Sequence, residues 1–195
     1  MQISSIIKDS FQEYEGEHSL VLFSHGCNLN CYHCYNYNRI TSDIIGDAIS
    51  KIDTNITPLH SAVVLLGGEP TIHKDIDQVC KHIKSLHLKV KLYTNGMLPD
   101  IVNNLIQKNL LDSISVDIKS VTNVSELTGI YISNKKYLTS IKKIVEAASN
   151  IDIELRTTIF DISDKDAIYT YVKLNFPKIR HIFQKEYKLS NVGVY

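Results

Sequence analysis

Three of the four cysteines stand close together in the segment HGCNLNCYHCYN, residues 25–36. Cys27, Cys31 and Cys34 give this segment the spacing CxxxCxxC. In a reducing compartment, neighbouring thiols usually bind a metal or carry out redox chemistry. Inert cysteines that only fill space have no reason to gather in one loop. The segment therefore predicts a metal-binding or redox site.

Three kinds of site fit these thiols. A structural zinc site takes four ligands, so His25, His33 or a distant histidine would have to complete it. The CYHC at 31–34 also fits a thioredoxin-like dithiol, but that interpretation leaves Cys27 without a role. In a four-iron cluster, three thiolates leave one iron without a protein ligand, and a small molecule can bind there. The residues alone leave all three possibilities open.

The elements that position this segment can be predicted from apolar patterns. Runs rich in β-branched and aromatic residues predict six strands, at 19–24, 62–66, 89–94, 113–118, 151–159 and 179–184. Helical apolar spacing lies between them, at 42–52, 75–86, 100–110, 134–149 and 164–175, with Ser42, Asp100, Asn134 and Asp164 as expected N-caps. The first 18 residues and the last eight lack clear periodicity, and we expect them to run over the surface or to form edge structure.

Alternating strands and helices imply an α/β fold with parallel strands joined by right-handed crossovers. An open doubly wound sheet and a full or partial barrel both fit, and both place chemistry at the carboxyl ends of the strands. The segments at these ends are HGCNLNCYHC, GGEPT, TNG and DIK, followed by Arg156 and Gln184 on the last two strands. Nearly all the unusual polar residues are thus predicted to share one edge.

Length and charge limit the classes of partner. The 195 residues fit a single domain, residues 1–195, with its core at about 19–184. Acidic and basic residues balance at 21 each, which argues against nucleic acid or an anionic membrane surface as a partner. Apolar runs are too short to span a bilayer, and the first residues do not have the pattern of a signal peptide. We therefore expect a cytoplasmic protein.

The cysteine spacing, directly after the first predicted strand, resembles the signature of the radical S-adenosylmethionine (radical SAM) superfamily. The GGEP at residues 67–70 is similar to that superfamily's second motif. Within it, the stretches SLVLFSHGCNLNCYHCYN, VVLLGGEPTIHKDI, VKLYTNG, SVDIK and ELRTTI look most like the glycyl radical activating enzymes, particularly the activase of the anaerobic ribonucleoside-triphosphate reductase. The resemblance implies a partial (β/α)6 barrel of the TIM type, with the cluster at the carboxyl edge of parallel strands.

This resemblance also implies cofactors, chemistry and partners. Members use a 4Fe–4S cluster to cleave S-adenosylmethionine reductively, which yields methionine and a 5′-deoxyadenosyl radical. In the activases that radical removes hydrogen from a glycine of a partner enzyme, here expected to be the large subunit of the anaerobic ribonucleotide reductase. A flavodoxin- or ferredoxin-type protein is the expected electron donor. The protein would then be an oxidoreductase whose cofactors carry the difficult chemistry.

Site residues follow from the motifs that match. Cys27, Cys31 and Cys34 would bind the iron, and Asp117 and Lys119 would join them in catalysis. The residues expected to contact S-adenosylmethionine are His33, Asn36, Gly67, Gly68, Glu69, Pro70, Thr94, Asn95, Asp117, Lys119, Arg156 and Gln184. His33 departs from the family pattern, which usually has a larger aromatic residue beside the adenine.

Elementary geometry supports several of these assignments and gives others a rival explanation. Gly67 and Gly68 let a ligand approach the backbone closely. Asp117 and Lys119 alternate along a strand, so they share one face, where they could also form a plain ion pair. Arg156 lies in an apolar strand and needs an anion, either the methionine carboxylate or a nearby acid such as Asp117 or Glu154. Asn36, Thr94 and Asn95 could equally be turn residues, and Cys80 is expected in the core.

Two other functions remain compatible with the sequence. One is a radical SAM enzyme that acts on a peptide or a small metabolite, such as a deazapurine-precursor synthase. The other is a zinc-stabilised binding module without catalysis. Iron content, cofactor cleavage and radical formation on a partner subunit distinguish these alternatives.

Overall fold

The computed structural model describes residues 1–31, 34–159 and 162–185, and its centre is one mixed β-sheet. The strands run in the order β3-β1-β2-β4-β5-β6-β7-β8. Their bounds are Gln2–Ser10 (β1), Ser19–Ser24 (β2), Gly46–Asp47 (β3), Ala62–Gly67 (β4), Lys89–Thr94 (β5), Ser113–Asp117 (β6), Asp152–Ile159 (β7) and Arg180–Lys185 (β8). Six neighbouring strands of this sheet are parallel, namely β2, β4, β5, β6, β7 and β8. They are the six strands predicted from sequence.

Helices fill the connections between the parallel strands. Their bounds are Tyr37–Ile40 (α1), Ala48–Asn55 (α2), Ile76–Ser85 (α3), Pro99–Gln107 (α4), Val124–Thr128 (α5), Asn134–Ala147 (α6) and Ile162–Asn175 (α7). A short 3₁₀ turn, Pro70–Ile72, follows β4. Within the described residues, no helix has the length and apolarity needed to cross a lipid bilayer.

The strand order decides between the two predicted architectures. In a doubly wound sheet the order reverses at a switch point. Here each parallel strand adds beside the preceding one, from β2 to β8, and β2 pairs with β1 and β4 while β8 pairs with β7. The α/β fold with parallel strands is therefore confirmed, and its winding is that of an incompletely closed barrel.

Both faces of the central strands are covered, which explains their continuous apolar sequences. Alternate residues of β2 and β4, such as Leu22 and Leu65, join the large core with the helices. The residues between them, Val21, Phe23, Val64 and Leu66, form a second buried cluster against Tyr14 and Tyr93. The segment that precedes β2 thus covers part of the sheet's other face.

Three features differ from the predictions. Residues 2–10, for which only surface or edge structure was expected, form the antiparallel strand β1 between β2 and β3. The helix predicted at 42–52 begins at Ala48, because Gly46 and Asp47 pair with β1, and Asp47 caps the helix in place of Ser42. The expected caps Asp100, Asn134 and Asp164 lie inside their helices, and Ser133 caps α6.

Candidate active site

The three cysteines lie on the loop that leaves the carboxyl end of β2. All are free thiols of intermediate exposure, and the Leu29 amide lies 3.4 Å from Cys27 Sγ. Burial raises the pKa of the Cys27 thiol to about 11, and the Leu29 amide opposes that rise. Burial also raises the pKa of Cys31, where the Lys119 ammonium acts in the opposite direction. The thiols are therefore held close to a cation and to backbone dipoles, which favour thiolates once a metal binds.

A glycine of α5's C-terminus supports the cysteine loop from the other side. The Asn30 amide donates to the carbonyl of Thr128 over 2.9 Å. Gly129 ends the helix with φ +65°, and a Cβ on it would lie 2.1 Å from the Asn30 carbonyl oxygen. Only glycine permits this approach, because a methyl group at such a distance overlaps the loop.

The GGEP segment packs its backbone directly against the first of the parallel strands. Gly67 has φ +115°, and a Cβ there would lie 2.6 Å from the Ser24 amide nitrogen. The Gly68 amide donates to the Ser24 carbonyl, and the Glu69 amide donates to the Gly26 carbonyl. Pro70 is buried and begins the 3₁₀ turn. Gly67 is thus required by the close contact of two loops at the sheet edge.

The carboxylate of Glu69 is fully buried and accepts four hydrogen bonds. Oε1 accepts from Thr71 N (3.1 Å), Thr71 Oγ1 (2.6 Å) and Thr94 Oγ1 (2.9 Å), and Oε2 accepts from Asn95 N (2.7 Å). Burial raises the pKa of Glu69, and these donors lower it. Because every partner is a donor, the ionised carboxylate is the form that this pocket satisfies. Glu69 joins the loops that follow β4 and β5.

An acid at the end of β6, Asp117, and a base just beyond it, Lys119, form an ion pair. Lys119 Nζ lies 2.5 Å from Asp117 Oδ2. Burial alone would lower the pKa of Lys119, but the Asp117 carboxylate and Cys31 raise it overall. The buried Tyr137 hydroxyl donates to the Asp117 carbonyl and accepts from the Lys119 amide, which fixes the end of the strand. Asp117 Oδ1 is buried and has no hydrogen-bond partner among the described residues.

A cavity of about 580 Å³ opens beside the cysteine loop. It is lined by Asn30, Cys31, Cys34, Tyr37, Glu126 and Gly129. Between the lining residues Cys34 and Tyr37 in sequence, Asn36 Nδ2 donates to the Gly67 carbonyl over 3.2 Å, while Asn36 Oδ1 is buried without a partner in the described part of the chain. Two polar oxygens, on Asn36 and Asp117, therefore remain available to a ligand at this edge.

Two predicted site residues, Arg156 and Gln184, are not brought into this group. Arg156 Nη1 donates to Tyr93 Oη (2.6 Å) and lies 3.5 Å from Glu154 Oε1. The anion beside Arg156 in this structure is therefore Glu154, one of the nearby acids that the sequence offered as an alternative to the methionine carboxylate. Gln184 is exposed on β8, in register with Thr158. His33 lies outside the described residues.

A second set of metal-type ligands lies at the opposite end of the strands. One atom each of Asp9, His18 and His60 lies within 4.8 Å of the others. The Thr57 amide donates to His60 Nδ1, so His60 Nε2 carries the proton and donates to the Lys8 carbonyl over 2.7 Å. His18 Nε2 lies 2.9 Å from Asp9 Oδ1. These hydrogen bonds use the ring nitrogens to tie β1 to the starts of β2 and β4.

The family model for the Radical SAM superfamily matches residues 21–172. The chain belongs to this superfamily. Radical SAM enzymes bind a 4Fe–4S cluster and S-adenosylmethionine, and the residues at the carboxyl edge fit both groups. Three free thiols on one loop match a cluster that leaves one iron open. Within the described parts of the chain, Asn36 Oδ1 and Asp117 Oδ1 lack hydrogen-bond partners, and together with the glycine-lined backbone they suit a polar cofactor beside the cluster.

Comparison with individual relatives gives the same family and several different activities. Over 180 residues the chain is 29% identical to a Methanocaldococcus jannaschii protein whose name is that of a glycyl-radical enzyme activating enzyme, covering 88% of this chain and 75% of the relative. Over 168 residues it is 24% identical to a Sulfolobus acidocaldarius protein named as a GTP 3′,8-cyclase, and the match covers 83% of this chain and 52% of that relative.

Among solved structures, native anSMEcpe with bound AdoMet superposes on this radical SAM chain with a TM-score of 0.66 and 15% identity. The superposition covers 91% of this chain and 54% of that one. Such low identity shows the fold alone. This chain spans about half the length of the anSMEcpe chain and of the named cyclase.

The structure adds site residues that the motifs did not indicate. Gly129 and Tyr137 position the cysteine loop and the Asp117–Lys119 pair, and Glu126 lines the cavity. A glycine just after the short run VSELT is a helix-stop signal, so α5 itself was within reach of sequence reasoning. Its contact with the cysteine loop was not, because that contact depends on tertiary structure.

Proposed function

We propose that this radical SAM enzyme activates a glycyl radical enzyme by removing hydrogen from a glycine of that partner. The observation that carries the proposal is the similarity to a relative named for this activity, which extends over 88% of the chain and 75% of the relative. The anaerobic ribonucleotide reductase is the partner that the sequence motifs favour. When bound, the cluster and S-adenosylmethionine supply a 5′-deoxyadenosyl radical.

The chain's own residues would bind and orient these groups. Cys27, Cys31 and Cys34 would hold three irons. Asp117 Oδ1, buried and unpartnered among the described residues, would accept a hydrogen bond from the cofactor, while Lys119 would offer its ammonium to an anionic group. Roles for the remaining predicted contacts, including Arg156, His33 and Gln184, stay predictions.

Exposed tyrosines on and near the cavity lining are typical of a surface that binds another protein. Tyr37 lines the cavity and is 56% exposed, and its neighbour Tyr35 is 59% exposed. Tyr131, two residues beyond the cavity-lining Gly129, is fully exposed. Exposed tyrosines offer large contact areas at small entropic cost, which is why they are enriched in protein interfaces. A glycine-bearing loop of a partner could reach the cysteine side between them.

A second candidate is chemistry on a small metabolite. It is favoured by the similarity to a protein named as a GTP 3′,8-cyclase, of which this chain covers only 52%. The zinc-stabilised binding module has no support from the family match, which identifies a radical SAM enzyme.

The decisive experiment mixes the anaerobically reconstituted chain with S-adenosylmethionine, a one-electron reductant and the purified large subunit of the anaerobic ribonucleotide reductase. Electron paramagnetic resonance (EPR) should then detect a glycine-centred radical on the partner. Cys31→Ala in the activase, and alanine in place of the partner's radical glycine, should each abolish the signal. Formation of 5′-deoxyadenosine with GTP, and no radical on the partner, would favour the metabolite reaction.

A further inference from the structure

The side chain of Asn95 contacts the cysteine loop. Asn95 follows β5 and is 7% exposed. Its Oδ1 accepts from the Met97 amide over 3.0 Å, which is the geometry of an Asx turn. Its Nδ2 lies 2.8 Å from Asn28 Oδ1 and 3.8 Å from Cys27 Sγ. The Asx turn therefore fixes the amide so that its nitrogen faces the cysteine loop.

The protons of this amide can be assigned from its partners. An amide nitrogen carries two hydrogens, and Asn28 Oδ1 accepts one of them. The other is available to Cys27 Sγ, which the Leu29 amide also approaches. As a free thiol, Cys27 lies 3.9 Å from Asn28 Oδ1 and can donate to it. As an iron ligand the sulfur is a thiolate without a proton, and it can only accept.

Glu69 holds the turn that aims this amide. Its Oε2 accepts from the Asn95 backbone amide, and its Oε1 accepts from the Thr94 hydroxyl. Thr94 Oγ1 in turn accepts from the Gly96 amide. The acid of the GGEP motif thus fixes the TNG turn, and the turn directs a donor at one cysteine.

We propose that Asn95 is a positioning residue of the iron–sulfur site, which donates a hydrogen bond to the Cys27 thiolate and makes the cluster easier to reduce. Hydrogen bonds to a ligating sulfur stabilise the more negative, reduced cluster and so raise its reduction potential. This role concerns the cluster and not the substrate, so it is independent of whether the radical acts on a glycine or on a metabolite.

Asn95→Ser is the most direct test. A serine hydroxyl can accept from the Met97 amide in the equivalent turn, but it is too short to reach Cys27. The reconstituted protein is titrated with dithionite in the absence of S-adenosylmethionine, and EPR follows the reduced cluster. The midpoint potential should be more negative than in the wild type. Asn104→Ser, at an exposed position of α4, is the matched control and should leave the potential unchanged.

Asn95→Asp provides a second variant, because its carboxylate keeps the Met97 contact and presents an oxygen to Cys27. It should shift the potential further in the negative direction. A wild-type potential in either variant at full iron content would overturn the proposal. Failure of both variants to hold iron would also overturn it, since Asn95 would then serve cluster assembly and not its potential.

Discussion

Replacing Gly129 by alanine should displace the cysteine loop, and the size of the effect can be worked out from the structure. The residue sits at φ +65°, where alanine costs about 1–2 kcal/mol relative to glycine. The new Cβ would lie 2.1 Å from the Asn30 carbonyl oxygen, and overpacking of this kind costs about 1–3 kcal/mol. Reduced freedom of the unfolded chain returns about 0.4–1 kcal/mol. The free energy of unfolding should therefore fall by about 1–5 kcal/mol.

Gly16→Ala supplies the matched control. Gly16 has φ +81°, but a Cβ there meets nothing within 4 Å, so only the backbone penalty applies and the loss should be about 0–1.6 kcal/mol. Denaturant unfolding of the apo-protein measures both variants, and iron content after reconstitution reports on the loop. Gly129→Ala should bind less iron and Gly16→Ala should not. Equal stability losses with full iron in both would refute the close contact of α5 with the cysteine loop.

Three further predictions concern Glu69, Tyr137 and Cys27 at the same edge. Glu69→Gln should lower the free energy of unfolding by about 1–3 kcal/mol in a denaturant titration, because in either amide orientation one buried backbone N–H, of Thr71 or Asn95, loses its acceptor. An unchanged free energy of unfolding would show that the carboxyl is protonated. Tyr137→Phe should lower the free energy of unfolding by about 1–3 kcal/mol in the same measurement, since the Lys119 amide loses its acceptor and the Asp117 carbonyl loses its donor. The control Tyr131→Phe, at an exposed position, should lower it by less than about 0.5 kcal/mol. In the apo-protein, mass spectrometry should find Cys27 alkylated about tenfold faster per pH unit from pH 7 to 10, because its thiolate fraction grows below a pKa of about 11, while the fully buried Cys80 stays unmodified. A rate that levels off near pH 9, the ordinary pKa of a thiol, would contradict the raised pKa.

Sequence reasoning was most successful where burial alone dictates the element. The runs at 19–24 and 62–66 are apolar on both faces because both faces are covered, so the strands and their parallel order followed from composition and alternation. Around residue 42 the same reasoning was wrong. Ser42 and Asp43 resemble a helix start, but pairing of Gly46 and Asp47 with β1 overrides the local preference.

For the site, too, local patterns could be predicted from sequence and tertiary contacts could not. The cysteine spacing and GGEP are local patterns, and they led to the family that the match over residues 21–172 establishes. Contacts between loops were out of reach, because Asn95 and Asn28 are 67 positions apart in sequence. The orientation of Arg156 toward Tyr93 likewise depends on β5, which lies two strands away from β7 in the sheet, and sequence could only name Glu154 among its possible partners.

The central claim is that Cys27, Cys31 and Cys34 hold a 4Fe–4S cluster with one iron left open for S-adenosylmethionine. It is tested most directly by EPR of the anaerobically reconstituted and reduced chain, recorded before and after addition of S-adenosylmethionine. The spectrum should be that of a reduced 4Fe–4S cluster and should change when the cofactor is added, while Cys31→Ala should keep its α/β circular dichroism and show no cluster. Protein that carries zinc and no iron, or a cluster whose spectrum ignores the cofactor, would contradict the account.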